Sequence, residues 1–146
     1  MIHIRPADKR DAPTVFPWRN SENVRKSSLS SQKINWEAHN AWFNASLLSQ
    51  EKRLFMIESQ NMAVGCLRFD FLENDAVEIS IYLDPLQCGK GYGKEGLLQG
   101  IAWLSNAGFN FKKIIAKILP ENVISKALFQ SVGFNPKYEV FELELT

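Results

Sequence analysis

Between Asp84 and Leu98 the chain reads DPLQCGKGYGKEGLL, in which Gly89, Gly91 and Gly93 alternate with Lys90, Tyr92 and Lys94. Glycines at a strand-to-helix turn let successive main-chain N–H groups converge on an anion, and the N-terminus of the following helix adds about half a positive charge. Lys90 and Lys94 bring full charges to the same place. A tight turn alone needs only one or two glycines, so the third favours binding of a phosphate. Gly91, Gly93 and Gly96 also satisfy G-x-G-x-x-G, with Glu121 near the end of the next strand. A dinucleotide fold puts that motif at its first strand in a parallel sheet, whereas here a series of hairpins precedes it and one crossover follows. A Walker A loop is excluded, because Glu95 stands where Ser or Thr would hold magnesium.

The elements that must carry this loop follow from periodicity. Residues 1–5 alternate as a short strand closed by Pro6, and Pro13 and Pro17 break the segment 7–31 into irregular helical turns. Asn35 caps a helix over 36–50, with Trp36, Ala41, Phe43 and Leu47 near one stripe. From Arg53 the period becomes two: strands at 53–59, 62–72 and 76–85, separated by turns at Gln60–Asn61 and 73–75, form an antiparallel meander. A helix over 91–106 stops at Gly108, a strand follows at 112–119, a helix over 121–132 closes at Gly133, and 138–145 reads as a last strand. This order predicts one α+β domain over 1–146, a mixed, mostly antiparallel sheet flanked by helices.

Composition narrows the partners. With 17 basic against 16 acidic residues and a net charge of +1, the chain has no general field to gather nucleic acid or an anionic membrane, so an anion must be bound locally. No apolar run approaches a membrane span and the N-terminus is not built as a signal peptide, so the expected location is cytoplasmic. Cys66 and Cys88 read as free thiols, and with His3 and His39 as the only histidines no metal site is expected.

The run IYLDPLQCGKGYGKEGLL resembles motif A of the GNAT acetyltransferase superfamily, a strand followed by Arg/Gln-x-x-Gly-x-Gly/Ala at a helix start. ENVISKALFQSVGF resembles its motif B, and the order of elements extends the likeness over nearly the whole chain. The resemblance implies a GNAT fold that binds acetyl-CoA in a cleft between splayed strands four and five. It further implies that the backbone of Ile81, Tyr82 and Leu83 meets the pantetheine, that Gly89, Lys90, Gly91, Tyr92, Gly93 and Lys94 wrap the pyrophosphate, and that Asn122 contacts the cofactor. Two positions depart from the pattern. Cys88 holds the Arg/Gln position, and Phe129 stands where many members carry a tyrosine that protonates the leaving thiolate; Ser125 and Tyr138 are the remaining hydroxyls considered for that task.

Acetyl transfer to an amine needs a path for one proton and donors for the tetrahedral oxyanion, and no metal. In AVEISIYL, Val77, Ile79, Ile81 and Leu83 share one face and Glu78, Ser80 and Tyr82 the other. Glu78 and Ser80 are the catalytic candidates if the second face lines the cleft, with Glu78 taking the proton through water and an N–H near Ile81 polarising the carbonyl. Glu78 equally fits a solvated strand residue. In the N-terminal third, Arg19 and Asn20 follow Trp18, and His39 shares a helical face with Trp42 and Phe43. This set is similar to the GNAT branch that acetylates the 4-amino group of nucleotide-linked sugars in pseudaminic acid synthesis, with Arg19, Asn20 and His39 as substrate contacts and Arg19 or Arg25 meeting a diphosphate. The aromatic residues also fit a core, and His39 a hydrogen-bonded structural role. Two alternatives keep the fold: an acetyltransferase of protein N-termini like those acting on ribosomal proteins, and a non-catalytic acyl-CoA-binding domain. A monomer or a homodimer fits either.

Overall fold

A computed structural model describes residues 1–26 and 32–145. Residues 27–31, part of the segment expected as broken helical turns, lie outside them. The strands are β1 (Ile2–Pro6), β2 (Lys52–Ser59), β3 (Met62–Phe71), β4 (Ala76–Leu83) and β5 (Lys113–Ile115). The helices are α1 (Ala12–Arg19), α2 (Glu22–Lys26), α3 (Trp36–Leu48), α4 (Tyr92–Asn106) and α5 (Val123–Ser131). The strands lie in sequence order, antiparallel from β1 to β4, with β5 parallel to β4. This is the expected α+β arrangement.

Local chemistry accounts for most boundaries. The β2–β3 hairpin closes through Gln60 and Asn61, at φ 53° and 63°, the left-handed pair that a two-residue turn requires. Asn35 Oδ1 accepts from the Ala38 N–H at 2.8 Å and starts α3. The start of α1 is fastened from a distance: Arg5 on β1 donates to both carboxylate oxygens of Asp11, at 2.9 and 2.7 Å, and to Glu58 on β2 at 2.9 Å. These three groups join the first helix to two strands.

Alternation along the strands sends side chains into two cores. Phe55, Ile57, Leu67, Phe69, Val77 and Ile79 pack with Leu97 and Leu104 of α4 and Phe129 of α5. Leu54, Met56 and Cys66 face the other way, onto Val15 and Trp18 of α1 and Phe43 of α3. A fully buried phenylalanine such as Phe43 or Phe69 contributes about 1.5–3 kcal/mol by removal from water.

Two glycines of α4 face the sheet where a side chain would not fit. A Cβ on Gly96 would stand 2.7 Å from Ile57 Cδ1, and one on Gly100 would collide with Leu67. The side chain of Gln99, between them, accepts from the Ile4 N–H at 3.1 Å and donates to the Ile2 carbonyl at 2.6 Å, hydrogen-bonding the outer edge of β1.

Three expectations change. The buried side chains of α3 are His39, Phe43 and Ser46, not a stripe through the partly exposed Trp36. The strand expected over 112–119 holds only for Lys113–Ile115, because its pairing with β4 ends at Glu78 and Ile115. Residues 138–145, expected as a last strand, form none, and Phe141 and Leu145 are about 90% exposed. A strand exists only where a neighbouring backbone takes its N–H and C=O groups, and residues 138–145 pair with none of the five strands.

Candidate active site

The loop before α4 leaves its donors free. Asp84 turns the chain out of β4, its Oδ1 accepting from the Leu86 N–H at 3.0 Å and its carbonyl from the Gln87 N–H at 2.8 Å. Gly89 and Gly91 then take φ of +81°, the left-handed region where side chains are strained, and neither has an atom within 4 Å of where a Cβ would stand. Gly91 is the residue before α4, and the first helical N–H groups have no partner within the helix. Among the described residues, the N–H groups of 89–94 donate no main-chain hydrogen bond to another protein group. Lys90 and Lys94 flank this row, and Lys90 Nζ donates to Gln87 Oε1 at 2.9 Å. Tyr92 Oη lies 3.5 Å from Ser59 Oγ, joining the loop to the end of β2. Cys88 is exposed and makes only a long contact to the Asp84 carbonyl, 3.7 Å.

The strand ahead of the loop also has unspent groups. Asp84 N–H donates to the Val64 carbonyl at 2.8 Å and Leu72 N–H to the Ala76 carbonyl at 2.9 Å. Hydrogen-bonded pairs alternate along an antiparallel ladder, so Tyr82, Ser80 and Glu78 bond to β3 through their backbones. Ile81 and Leu83 therefore turn their N–H and C=O the other way, toward β5. There β5 has already parted from β4, and the ladder between them covers only 76–78. The result is a cleft with one open strand edge, ending at the glycine loop.

The side chains of Glu78, Ser80 and Tyr82 share the face that carries α1 and α3, across from Asp70, Arg68 and Cys66 on β3. Glu78 Oε1 meets Lys117 Nζ at 3.4 Å, a contact across the splayed strands. Ser80 Oγ accepts from Arg68 Nη2 at 3.4 Å. Arg68 Nε donates to Asp70 Oδ2 at 3.1 Å, and Lys52 Nζ to Asp70 Oδ1 at 2.8 Å. Burial pushes the Cys66 thiol up to about 12 and raises the Tyr82 phenol beside it, so both stay protonated.

Sequence reasoning singled out neither Arg68 nor Lys117. The signal for Arg68 was the alternation C-L-R-F-D-F, which puts an arginine and an aspartate on a strand face otherwise packed with apolar groups.

The acceptor-side candidates are held to different degrees. Arg19 lies with Cζ 5.1 Å from the Trp42 ring centroid. Asn20 is used twice on Ile34, accepting from its N–H at 2.9 Å and donating to its carbonyl at 2.8 Å. Arg25 Nε donates to the Asn20 carbonyl at 3.1 Å. Asn122 caps α5, its Oδ1 accepting from the Ser125 N–H at 3.1 Å. Phe129 is buried against Phe134, with ring centroids 5.1 Å apart.

His39 has no exposed surface and sits among Phe16, Trp36, Trp42 and Phe43. Its Nε2 lies 3.0 Å from the Ala12 carbonyl, so Nε2 carries the proton and donates; Nδ1 has no partner. Burial lowers its pKa below the usual 6.5. The unfolded chain takes up this proton as pH falls through 6.5 and the folded chain does not, so this contribution to stability is present above that value and lost below it. Urea denaturation at pH 7.5 and 5.5 should show the wild type losing more stability than His39→Gln, which can keep the bond to Ala12. Equal losses would show that His39 does not titrate between the two states.

Comparison with known proteins fits this geometry. The acetyltransferase (GNAT) domain family model matches residues 2–135. An uncharacterised protein of Methanocaldococcus jannaschii is 29% identical over 140 residues, which is 91% of this chain and 28% of that protein; the chain thus spans little more than a quarter of that relative. The crystal structure of spermidine N-acetyltransferase from Vibrio cholerae, in complex with CoA and spermine, superposes with a TM-score of 0.87 at 18% identity, covering 99% of this chain and 86% of that one. The acetyltransferase from Salmonella typhimurium that modifies the N-terminal serine of ribosomal protein L7/L12 does so with a TM-score of 0.79 at 21% identity, covering 91% and 80%. At those identities the two structures speak for the fold. No helix among the described residues is long and apolar enough to cross a membrane, and no group of three or more metal-ligating side chains is found among them. With a family match over residues 2–135, a sheet that splays between its fourth and fifth strands and a glycine turn of free amides at the cleft, the chain belongs to the GNAT acetyltransferase domain family.

Proposed function

We propose that the chain transfers the acetyl group of acetyl-CoA to a primary amine, the 4-amino group of a UDP-linked amino-deoxy sugar. The observation that carries the transferase reading is the set of unspent N–H groups at 89–94, next to the open edge of β4 at Ile81 and Leu83. A diphosphate suits the first, and the extended amide chain of a pantetheine suits the second, as an added strand would. The sugar acceptor rests on the sequence likeness of the Trp18–Arg19–Asn20 and His39–Trp42–Phe43 segments to the pseudaminic acid branch.

The roles follow from position. The Ile81 N–H holds the thioester carbonyl and stabilises its oxyanion as the amine adds. Glu78 takes the proton from the amine through water, with Lys117 fixing the carboxylate. The C–N bond forms, the C–S bond breaks, and the thiolate takes its proton from solvent, since Phe129 offers none. Ser80 lies one hydrogen bond from Arg68 and lines the same face.

Release of free thiol from acetyl-CoA, measured against UDP-linked amino sugars, polyamines and peptides, tests this reading. Thiol release with the nucleotide sugars is the expected result. Acetyl-CoA binding without release on any acceptor would replace the transferase by an acyl-CoA-binding domain. Glu78→Gln should lower kcat about 100-fold with the dissociation constant of acetyl-CoA unchanged. Unaltered turnover would remove Glu78 from the mechanism.

A further inference from the structure

The indole of Trp42 gathers two arginines from distant parts of the chain. Arg19 Cζ, at the end of α1, lies 5.1 Å from its centroid, and Arg68 Cζ, on β3, lies 5.3 Å from it. The two guanidinium groups are therefore no further apart than the sum of those distances. Both charges also act on Tyr82, where they work against the burial that raises the phenol. Trp42 is half-buried and held on α3 by His39 and Phe43, with ring centroids 6.4 Å away in each case.

The charge on this patch is unbalanced. Arg68 and Lys52 share one carboxylate, Asp70. Arg19 is half-buried, and among the described residues its guanidinium has no hydrogen bond or ion pair, only the indole. Counting Glu78 and its partner Lys117 on the same face, four cations meet two carboxylates, and Arg19 is the one whose charge no carboxylate answers among the described residues. Like charges at such spacing repel, and an anionic ligand converts that repulsion into binding. Arg68 donates to Ser80, and Ser80 follows Glu78 by two residues on the same strand face. The arginine pair therefore lies beside the candidate base, on the acceptor's side of the sheet.

We infer that Arg19 and Arg68, laid on Trp42, form a receptor for the diphosphate of the acceptor. This inference rests on the transferase reading above and makes the acceptor an amine that carries a diphosphate, in preference to a polyamine, a peptide or a free amino sugar. A polycation is disfavoured by the same charges that attract the diphosphate. Each guanidinium can give paired N–H donors to phosphate oxygens, and its contact with the indole limits its rotamers.

The test separates this inference from the reading beneath it. Uridine diphosphate is titrated against the protein with desulfo-CoA saturating, so that the glycine loop is filled, and binding is read by calorimetry and by quenching of tryptophan fluorescence. Binding by UDP and none by uridine is expected. Arg19→Gln and Arg68→Gln should each weaken UDP roughly 10- to 100-fold and raise KM for a UDP-linked 4-amino sugar by a like factor, with kcat and the acetyl-CoA dissociation constant within about threefold of wild type. Arg19→Gln removes no hydrogen bond, so it reports on the site even if Arg68→Gln disturbs β3. Failure of UDP to bind, while acetyl-CoA binds and an unphosphorylated amine is acetylated, overturns the inference and leaves the transferase. Failure of acetyl-CoA itself to bind overturns both.

Discussion

Gly91→Asp should weaken acetyl-CoA binding about 100-fold, whereas Gly91→Asn should cost only a few-fold. Gly91 stands at φ +81° at the head of α4, with open space where a side chain would go. Asparagine and aspartate tolerate that conformation best among residues with a Cβ, so both variants pay the same strain, about 1 kcal/mol, and both should fold. They differ by one charge. A carboxylate about 5 Å from a diphosphate, at the effective dielectric of a protein surface, costs on the order of 3 kcal/mol before salt screening. Calorimetry on both variants at two salt concentrations checks this. The gap between them should narrow as salt rises, and equal affinities would mean that the coenzyme's phosphates lie elsewhere.

Gly96→Val should destabilise the protein by about 3 kcal/mol, lowering Tm by roughly 10 °C. The three nearest contacts of the new Cβ, at 2.7, 3.3 and 3.7 Å, all belong to Ile57, which has no exposed surface and cannot swing outward. Because the clash lies with one side chain, it can be relieved there. Ile57→Ala alone leaves a cavity and costs about 2–5 kcal/mol. In the double variant the valine methyls occupy part of that cavity, so the pair should be more stable than the sum of the singles predicts, by about 2 kcal/mol. Additive losses in urea denaturation would show that α4 meets the sheet differently.

Much of this fold was legible because it is written in neighbouring residues. The turn at Gln60–Asn61, the Asn35 cap, and Gly108 and Gly133 at φ +82° and +106° after α4 and α5 each settle a boundary locally. The faces of β4 were equally readable, since alternation alone sorts Glu78, Ser80 and Tyr82 from Ile79, Ile81 and Leu83. What escaped depends on partners far along the chain. Arg5 meets Asp11 and Glu58 only once three elements have assembled. Arg68 faces Ser80 and Trp42 through strand register and helix placement together. The apolar alternation of 138–145 looks like a strand in sequence, but whether a segment becomes one is decided by the edge it would join. His39, Trp42 and Phe43 share a helical face as their spacing requires, yet spacing could not tell which would be enclosed: His39 is, and Trp42 remains half open.

Gln99 has a consequence for the opposite end of its helix. Its amide meets Ile2 and Ile4 at 2.6 and 3.1 Å, a pair of hydrogen bonds that sets the register of α4 against β1. Two turns upstream, that same indexing decides where the first amides of the helix aim. In the role proposed for those amides, their aim is thus set partly at the far rim of the sheet, by a residue outside the proposed site, and Gln99 also occupies the Ile2 carbonyl and Ile4 N–H on the open edge of β1, where a stray chain would otherwise pair.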